Sequence, residues 1–294
     1  MRVFVTGATG AIGGHVVPAL VAAGVQVTAL ARTPGKAAAL TARGATPSAV
    51  SLFDRAALAD ALAGHDAVAN LATAIPSPRT FLRASAWRAN ERVRREGSAA
   101  VAAAARQAGV PRLVQESITF LYPSRGAEWI DEDVVPDPFP LAEVNLAAEA
   151  SARTHGDGVV LRFGLFYGPG STHTDLMLGL ARRHVAFVAG APQDFLSSLH
   201  LADAAAAVVA ALEAPAGTYN VVDDEPVTRS AYAAALGAAV GVRPWLALPG
   251  RAARLAGGQA ESLVRSQRVA NGRFREATGW SPRYRSVREG LRAA

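Results

Sequence analysis

The sequence predicts an α/β fold: a doubly wound parallel sheet with helices on both faces and a smaller C-terminal lobe. In the first half of the chain, short apolar runs alternate with alanine-rich stretches of helical length. The apolar runs are continuous, as expected for strands that are buried on both faces of a sheet. Right-handed crossovers between such strands produce a doubly wound sheet.

The predicted elements of the first half follow this alternation in order. Strands are expected at 3–5, 25–31, 46–52, 66–72, 112–117 and 159–163, and helices at 11–23, from 34, at 54–63, within 80–107 and at 141–154. Thr33, followed by Pro34 at the first helical position, is a typical N-cap, and Asp54 caps the next helix.

The alternation changes after residue 170. The segment 171–193 is predicted to be irregular or helical, and short strands at 197–200 and 219–222 flank a helix at 202–212. We therefore divide the chain into a main domain at 1–170 and a smaller, interleaved lobe at 171–294. The lobe is expected to return to the main sheet near 197–222.

Composition narrows the classes of protein that this chain can belong to. Hydrophobic residues make up 50% and charged residues 18%, which favours a large buried core over disorder. The absence of cysteine excludes disulfides and thiolate chemistry, and it favours a reducing compartment, so we expect a cytoplasmic protein. We expect no secretory leader and no membrane partner, because no apolar run reaches the roughly 20 residues of a bilayer span.

The net charge of +6 comes almost entirely from scattered arginines. No aromatic-interleaved basic motif accompanies them, so a nucleic-acid partner is not expected. No spacing of residues resembles a metal site.

A glycine-rich turn follows the first strand and precedes the first helix, the context in which such a motif is informative. Gly7 permits a tight turn, Gly10 lets a pyrophosphate approach the backbone, and Gly13 allows the helix to pack closely on the sheet. The helix N-terminus offers free N–H groups and partial positive charge to phosphates. We predict that a dinucleotide cofactor contacts Gly7, Thr9, Gly10, Ala11, Ile12 and Gly13.

The end of the second strand predicts which dinucleotide binds. An acidic residue there would hold the ribose 2′-hydroxyl of NAD, but the strand ends with Ala31 and Arg32. Arg32 can pair with a 2′-phosphate, and Lys36, the only lysine, lies one helical turn further on. We therefore favour NADP(H) over NAD(H).

Several short motifs occur along the chain, and their order is typical of one protein family. They are the glycine turn, Leu161–Arg162–Phe163 leading to Tyr167–Gly168–Pro169–Gly170, His200–Leu201–Ala202–Asp203, Tyr219–Asn220–Val221 and Gly279–Trp280–Ser281–Pro282. In this order the chain resembles the extended short-chain dehydrogenase/reductase family, which contains sugar-nucleotide epimerases and dehydratases. The resemblance implies a Rossmann domain, a frequent homodimer, and further cofactor contacts at Leu52, Leu71, Ala72, Asn90 and Phe163.

The sequence departs from this family at the catalytic pair. The family has a tyrosine and a lysine four residues apart, followed four residues later by a glutamate. Anchored on Glu149, those positions hold Leu141 and Asn145. Leucine cannot transfer a proton, and asparagine cannot lower the pKa of a neighbouring phenol through charge. The chain is therefore predicted to be an atypical member.

The segment that ends the fifth strand offers replacements, because active groups of an open α/β sheet lie at the carboxyl ends of strands. Ser117 is the first candidate to hydrogen-bond the reacting oxygen, and Thr119 is the second. Tyr122 is the nearest phenol and a candidate proton donor; Tyr167, which ends the next strand, and Glu116 and Glu143 are the alternatives. His200 and Asp203 are expected to fix a loop and cap the helix after it.

Other residues could contact a small-molecule substrate. Candidate anion anchors are Arg162, Arg182, Arg183 and Arg268. Trp129 and Trp245 either border the substrate cleft or pack in the core.

Three functions remain open from the sequence. The first is an NAD(P)(H)-dependent oxidoreductase or epimerase-like enzyme acting on a small-molecule carbonyl or alcohol. The second is a non-redox cyclase, isomerase or lyase on the same scaffold, and the third is a non-catalytic NADP(H)-sensing protein. The Pro-rich segments 76–78 and 123–140 favour a shaped cleft, and hence an enzyme.

Overall fold

A computed structural model describes residues 1–137, 139–186, 188–243, 246–247 and 263–293, so Trp245, which was considered for the substrate cleft, lies outside the described residues. The strands are β1 (Arg2–Thr6), β2 (Gln26–Leu30), β3 (Thr46–Ser48), β4 (Ala67–Asn70), β5 (Arg112–Ile118), β6 (Trp129–Ile130), β7 (Gly158–Phe163), β8 (Leu165–Tyr167), β9 (Val185–Ala186), β10 (Phe195–Leu196), β11 (Ser198–His200), β12 (Gly217–Val221), β13 (Val227–Thr228), β14 (Leu246–Ala247) and β15 (Arg268–Val269).

The helices follow the same order along the chain. They are α1 (Gly13–Ala22), α2 (Pro34–Thr41), α3 (Arg55–Leu62), α4 (Arg88–Arg92), α5 (Ser98–Gln107), α6 (Pro140–Arg153), α7 (Thr172–Arg182), α8 (Leu201–Ala211), α9 (Arg229–Ala239), α10 (Gly272–Thr278) and α11 (Val287–Gly290). Short 3-10 turns occupy Ala84–Trp87 and Thr119–Leu121, and a π-helical turn, Val93–Gly97, joins α4 to α5.

The main sheet has seven parallel strands in the order β12-β7-β5-β4-β1-β2-β3. β1 pairs with β2 on one side and with β4 on the other, so the direction of winding reverses between β1 and β4. The doubly wound sheet predicted from the sequence is confirmed. In such a sheet, ligands bind at the carboxyl edge beside this reversal.

Helices cover both faces of the main sheet. Val114 and Leu161 enter the core that contains residues of α1 and α8, whereas Leu113 and Val160 enter the core that contains residues of α3 and α5. Successive residues of β5 and β7 are therefore buried on opposite faces, which explains the continuous apolar runs in their sequences.

Short strand pairs lie beyond the main sheet. β10 pairs antiparallel with β13, and the pairs β11 with β8, β14 with β9 and β15 with β6 are parallel. β12 returns to the main sheet beside β7. The division at residue 170 stays a prediction.

The third strand is shorter than predicted, since it ends at Ser48 instead of continuing to residue 52. It lies at the edge of the sheet, and Pro47 within it has no N–H to donate. Both predicted caps are present. Thr33 accepts a hydrogen bond from Lys36 N at 3.4 Å, and Asp54 accepts one from Ala57 N at 3.1 Å.

Candidate active site

The glycine turn is packed so tightly that two of its positions exclude any side chain. Gly7 has φ of 67°, and a Cβ atom there would lie 2.3 Å from the carbonyl oxygen of Leu71. A Cβ atom at Gly13 would lie 2.3 Å from the carbonyl oxygen of Gly7. The turn therefore rests against the end of β4, and α1 rests against the turn.

The outer part of the same turn is open. Gly10 and Ala11 are exposed and Thr9 is half-buried, whereas Ile12 is buried in the core. Gly10 N donates to Gly7 O at 2.9 Å, which closes the turn just before α1 begins. A backbone cradle without side chains, at a helix N-terminus, fits the diphosphate of an NAD(P)(H) cofactor.

The residues expected around the adenosine lie on neighbouring strand ends. Arg32 follows β2 and is exposed, and it has no ion-pair partner within the described residues. Leu52 is buried against the π-helical turn, where a Cβ atom at Gly97 would lie 2.7 Å from Leu52 Cδ2. Leu71 and Ala72 follow β4 and border the glycine turn.

Two other predicted cofactor residues have structural contacts. Asn90 is buried, and its Oδ1 accepts a hydrogen bond at 3.1 Å from the backbone N of Ala74, which holds the loop that follows β4. Phe163 is 1% exposed and packs in the core, 5.3 Å from the ring of Phe166.

A buried polar ladder, which sequence reasoning missed, crosses the carboxyl ends of three strands. The hydroxyl of Thr6 on β1 donates to Asn70 Oδ1, and Asn70 Nδ2 on β4 donates to Gln115 Oε1 on β5 at 2.8 Å. All three side chains are almost completely buried. Their signal in the sequence was a polar residue late in each apolar run, although in β5 two more polar residues follow Gln115. These hydrogen bonds fix the carboxyl ends of β1, β4 and β5 relative to one another, beside the glycine turn.

Ser117, the first catalytic candidate, is part of a buried ion-pair network. Its hydroxyl donates to Glu149 Oε1 at 2.6 Å. Arg162 donates to both carboxylate oxygens of Glu149, from Nε at 2.8 Å and from Nη2 at 2.7 Å. Burial alone would raise the pKa of Glu149, but the hydrogen bonds and charge of Arg162, together with Ser117, lower it. The Ser117 hydroxyl is thus committed to a carboxylate on α6.

Tyr122, the candidate proton donor, belongs to the same network. Its hydroxyl donates to Asn220 Oδ1 at 2.9 Å and accepts from Arg162 Nη1 at 2.7 Å. Burial raises the pKa of Tyr122 to about 12, although the charge of Arg162 opposes this. Arg162 was considered as an anion anchor for substrate, and this is wrong, because its guanidinium is buried and paired with Glu149.

Thr119 differs from the other two candidates because its hydroxyl has no hydrogen-bond partner in the described part of the chain. It lies in the 3-10 turn directly after β5. Among Ser117, Thr119 and Tyr122, it is therefore the one with an uncommitted hydroxyl at the strand end.

No proton-transfer group stands at the two α6 positions that the sequence predicts to replace the catalytic pair. Asn145 is 1% exposed, and its Nδ2 donates to the carbonyl oxygen of Leu141 at 2.7 Å. Leu141 itself packs on the apolar cluster that contains Leu121. The NH2 group of Asn145 is therefore bonded within its own helix, whereas its Oδ1 is buried and has no hydrogen-bond partner among the described residues, and the neighbouring position is aliphatic.

A second buried ion pair lies at the carboxyl end of β5. The last residue of β4 is opposite Gln115, so Glu116 is the first residue of β5 beyond the β4 pairing. Arg94 forms an ion pair with the Glu116 carboxylate and donates from Nη1 to the Glu116 carbonyl oxygen at 2.8 Å. Burial raises the pKa of Glu116, and Arg94 partly offsets this. Sequence reasoning missed Arg94 because a charged helical stretch usually faces solvent, whereas here the π-helical turn places it inside.

His200 and Asp203 have the architectural roles that were expected. His200 Nδ1 accepts from Ala202 N at 3.2 Å and so caps α8. The Asp203 carboxylate accepts from the backbone N atoms of Arg283 and Tyr284. No cluster of potential metal ligands occurs among the described residues, and no helix in that part of the chain could span a membrane.

Comparison with known proteins places this geometry in a family. A family described as NAD(P)H-binding matches residues 7–215. The 3-diazoavenalumate denitrifying reductase of a Streptomyces species is 36% identical, over 99% of each chain. The human epimerase family protein SDR39U1 is 30% identical, over 90% of this chain and 89% of its own.

Solved structures agree with this assignment. The crystal structure of human SDR39U1 with NADPH superposes with a TM-score of 0.85 at 28% identity, covering 100% of this chain and 98% of that one. The UDP-glucose 4-epimerase of Thermotoga maritima shares the fold, with a TM-score of 0.81 at 20% identity over 99% of this chain and 96% of that one.

The chain thus belongs to the NAD(P)H-binding proteins of the extended short-chain dehydrogenase/reductase family, as an atypical member. It is an NAD(P)-dependent oxidoreductase.

Proposed function

We propose that this protein is an NADPH-dependent reductase that acts on an aryl diazo group and releases dinitrogen. One observation carries the proposal: the cofactor cradle is complete, while the positions of the proton-transferring pair hold Leu141 and a self-bonded Asn145. The site is therefore suited to a hydride acceptor that needs no protonation of an alkoxide.

The chemistry of the two acceptor classes differs in this respect. When bound at the cradle, NADPH supplies a hydride from its nicotinamide ring. Hydride addition to a carbonyl leaves an alkoxide, which a neighbouring acid must protonate. An aryl diazonium cation plus hydride gives the arene and dinitrogen, with no net uptake of a proton. An aliphatic Leu141 is compatible with the second reaction and unfavourable for the first.

The relatives support the same choice. The relative that is 36% identical over almost the whole of both chains is named as a denitrifying reductase of a diazo compound. A ketoreductase of Stigmatella aurantiaca is 31% identical, over 90% of this chain and 81% of its own. Reduction of a ketone, with water as the proton source, is therefore the second candidate.

Particular residues are assigned to this function as part of the proposal. The cofactor is held by the glycine turn, with Arg32 on the 2′-phosphate. Thr119 contributes the free hydroxyl beside the reacting group. Ser117 and Tyr122 remain candidates, but the support for them is weaker, because both hydroxyls are buried in the Glu149–Arg162 network.

The test compares two substrates that share an aryl carboxylate and differ in the electrophile, 4-carboxybenzenediazonium and 4-acetylbenzoate. With NADPH and purified protein, we expect saturable consumption of the diazonium salt, with one benzoate and one dinitrogen formed for each NADPH oxidised. Reactions without protein and with the Gly13→Ala variant measure the uncatalysed background.

Each unfavourable outcome has a defined meaning. Reduction of 4-acetylbenzoate, with diazonium loss no faster than the background, would replace the proposal by ketone reduction. NADPH binding without turnover of either compound would contradict both forms of the proposal.

A further inference from the structure

Arg268 is held between two aromatic rings. Its guanidinium carbon lies 4.1 Å from the centroid of the Trp129 ring and 5.1 Å from that of Phe195. Arg268 and Trp129 are direct partners in the β15–β6 pairing. Stacking on aromatic faces restrains the planar guanidinium and so reduces the entropy that a ligand must remove on binding.

The guanidinium of Arg268 has no acidic partner in the described part of the chain. Its one hydrogen bond runs from Nη1 to the carbonyl oxygen of Ala127 and is long, at 3.4 Å. The Nε atom is buried and has no partner among the described residues, and Nη2 makes no hydrogen bond there. Because Nε is buried, Nη2 is the guanidinium nitrogen that can donate a charge-assisted hydrogen bond to a carboxylate.

Arg268 is attached to the chain segment that leaves β5. The preceding residue, Gln267, donates from Nε2 to the carbonyl oxygen of Tyr122 at 2.6 Å. The following residue, Val269, packs in the apolar cluster that contains Leu121 and on which Leu141 rests. Gln267 thus contacts the residue that follows the 3-10 turn, and Val269 belongs to the same apolar cluster as Leu121.

We propose that Arg268, stacked between Trp129 and Phe195, binds the carboxylate of an aromatic acid and so sets the substrate class of this enzyme. The two rings provide apolar surface for a flat aryl group, and Nη2 provides a charge-assisted hydrogen bond to the carboxylate. The inference rests on the proposed function, since it assigns a substrate class to that same site.

The experiment measures binding by calorimetry, on the full chain with NADP⁺ present. The probes are cinnamate and its neutral analogue cinnamamide. We expect the wild type to prefer cinnamate, and Arg268→Met to weaken cinnamate by about tenfold or more while changing cinnamamide by less than about twofold. Arg268→Lys, which keeps the charge but loses the planar fork, should fall between them.

Arg288→Met is the matched control, because Arg288 is exposed and the substitution removes the same charge. It should leave cinnamate binding unchanged. Equal binding of cinnamate to the wild type and to Arg268→Met would overturn the inference, as would a wild type that does not distinguish cinnamate from cinnamamide. Equal losses in the Arg268 and Arg288 variants would reduce the effect to net charge and also overturn it.

These outcomes are separable from those of the proposed reaction. Arg268-dependent binding of cinnamate without turnover of the diazonium salt would refute the proposed reaction but support the carboxylate site. Turnover of the diazonium salt with the same KM in wild type and Arg268→Met would leave the reaction standing and remove the site.

Discussion

At the scale of single residues, the network around Glu149 explains why three hydroxyl groups near the carboxyl end of β5 differ in whether they are free to bind a ligand. Ser117 and Tyr122 each bond to a member of the Glu149–Arg162 pair, whereas Thr119 does not. A buried bidentate pair is stable only while both partners are present, because a lone buried charge is strongly unfavourable. The network therefore supports the wall of the site.

Replacing Glu149 by glutamine should lower the free energy of unfolding by about 3 kcal/mol or more, because Arg162 would keep a buried, uncompensated charge. Urea denaturation at neutral pH measures this. Glu143→Gln is the control, since Glu143 is exposed and 3.8 Å from Arg95, and it should cost less than about 1 kcal/mol. Equal effects of the two substitutions would show that the buried pair contributes no more to the free energy of unfolding than an exposed pair does.

The lowered pKa of Glu149 leads us to expect that the free energy of unfolding depends on pH. The pKa of Glu149 is lowered in the folded protein, so its contribution is present above the pKa of the unfolded chain. It is lost as the pH falls through the folded value. The difference in unfolding free energy between wild type and Glu149→Gln should be constant above about pH 5 and shrink below it. A difference that grows on acidification would contradict this sign.

Arg32 carries the cofactor preference at the same scale. Arg32→Ala should weaken NADPH by about tenfold or more and leave NADH almost unchanged, because only NADPH has the 2′-phosphate. Fluorescence titration with both cofactors measures this. Arg55→Ala removes another exposed arginine on the same domain and should change neither affinity. Equal losses for NADPH and NADH would show that Arg32 does not recognise the phosphate.

At the scale of elements, the two adjacent glycines at the start of α1, Gly13 and Gly14, have different roles. A Cβ atom added at Gly13 would overlap with backbone atoms of Gly7 and Ala8. A Cβ atom added at Gly14 would have Arg43 Nη1 as its nearest atom, at 3.7 Å, and that atom is the end of a flexible side chain. Gly13→Ala must displace the first turn of α1, and the phosphate cradle with it.

We expect Gly13→Ala to reduce NADPH affinity by at least about tenfold. Gly14→Ala should retain that affinity and stabilise the protein by up to about 1 kcal/mol, because alanine favours the helix over glycine. Titration and thermal unfolding of the two variants, which differ by one position, provide the comparison. Full NADPH affinity in Gly13→Ala would refute the proposed cradle.

The elements also differ in how well local pattern predicted them. Strands buried on both faces were found because their apolar runs are continuous, as for β7. The helix expected within 80–107 contains a π-helical turn at Val93–Gly97 that carries Arg94 inward. Such a turn depends on packing against Glu116, and no periodicity in the helix reveals it.

At the scale of the whole molecule, the C-terminal segment packs against β8 and α8. The Tyr167 hydroxyl donates to the carbonyl oxygen of Ser286, and Asp203 binds the backbone of Arg283 and Tyr284. A Cβ atom at Gly290 would lie 2.5 Å from the Tyr167 hydroxyl oxygen. The last helix therefore packs tightly on the strand that follows the main sheet.

Gly290→Ala should destabilise the protein by about 1–3 kcal/mol, because the buried Tyr167 ring has no room to move away. Gly272→Ala is the control, since a Cβ atom there meets nothing within 4 Å, and it should change stability by less than about 0.5 kcal/mol. Thermal unfolding with and without NADPH measures both. Wild-type stability in Gly290→Ala would mean that the terminal helix is not tightly docked.

The sequence by itself determined the order of strands and helices and the glycine turn, and it predicts the loss of the catalytic pair. These features depend on residue identity and on spacing within a few positions, so local reasoning reaches them. Tertiary structure decided that Ser117 and Tyr122 are committed, that Thr119 is free, and that Arg268 is stacked between aromatic rings. Those properties arise from contacts between residues far apart in the chain, because a side chain's hydrogen bonds and burial depend on what folding brings beside it.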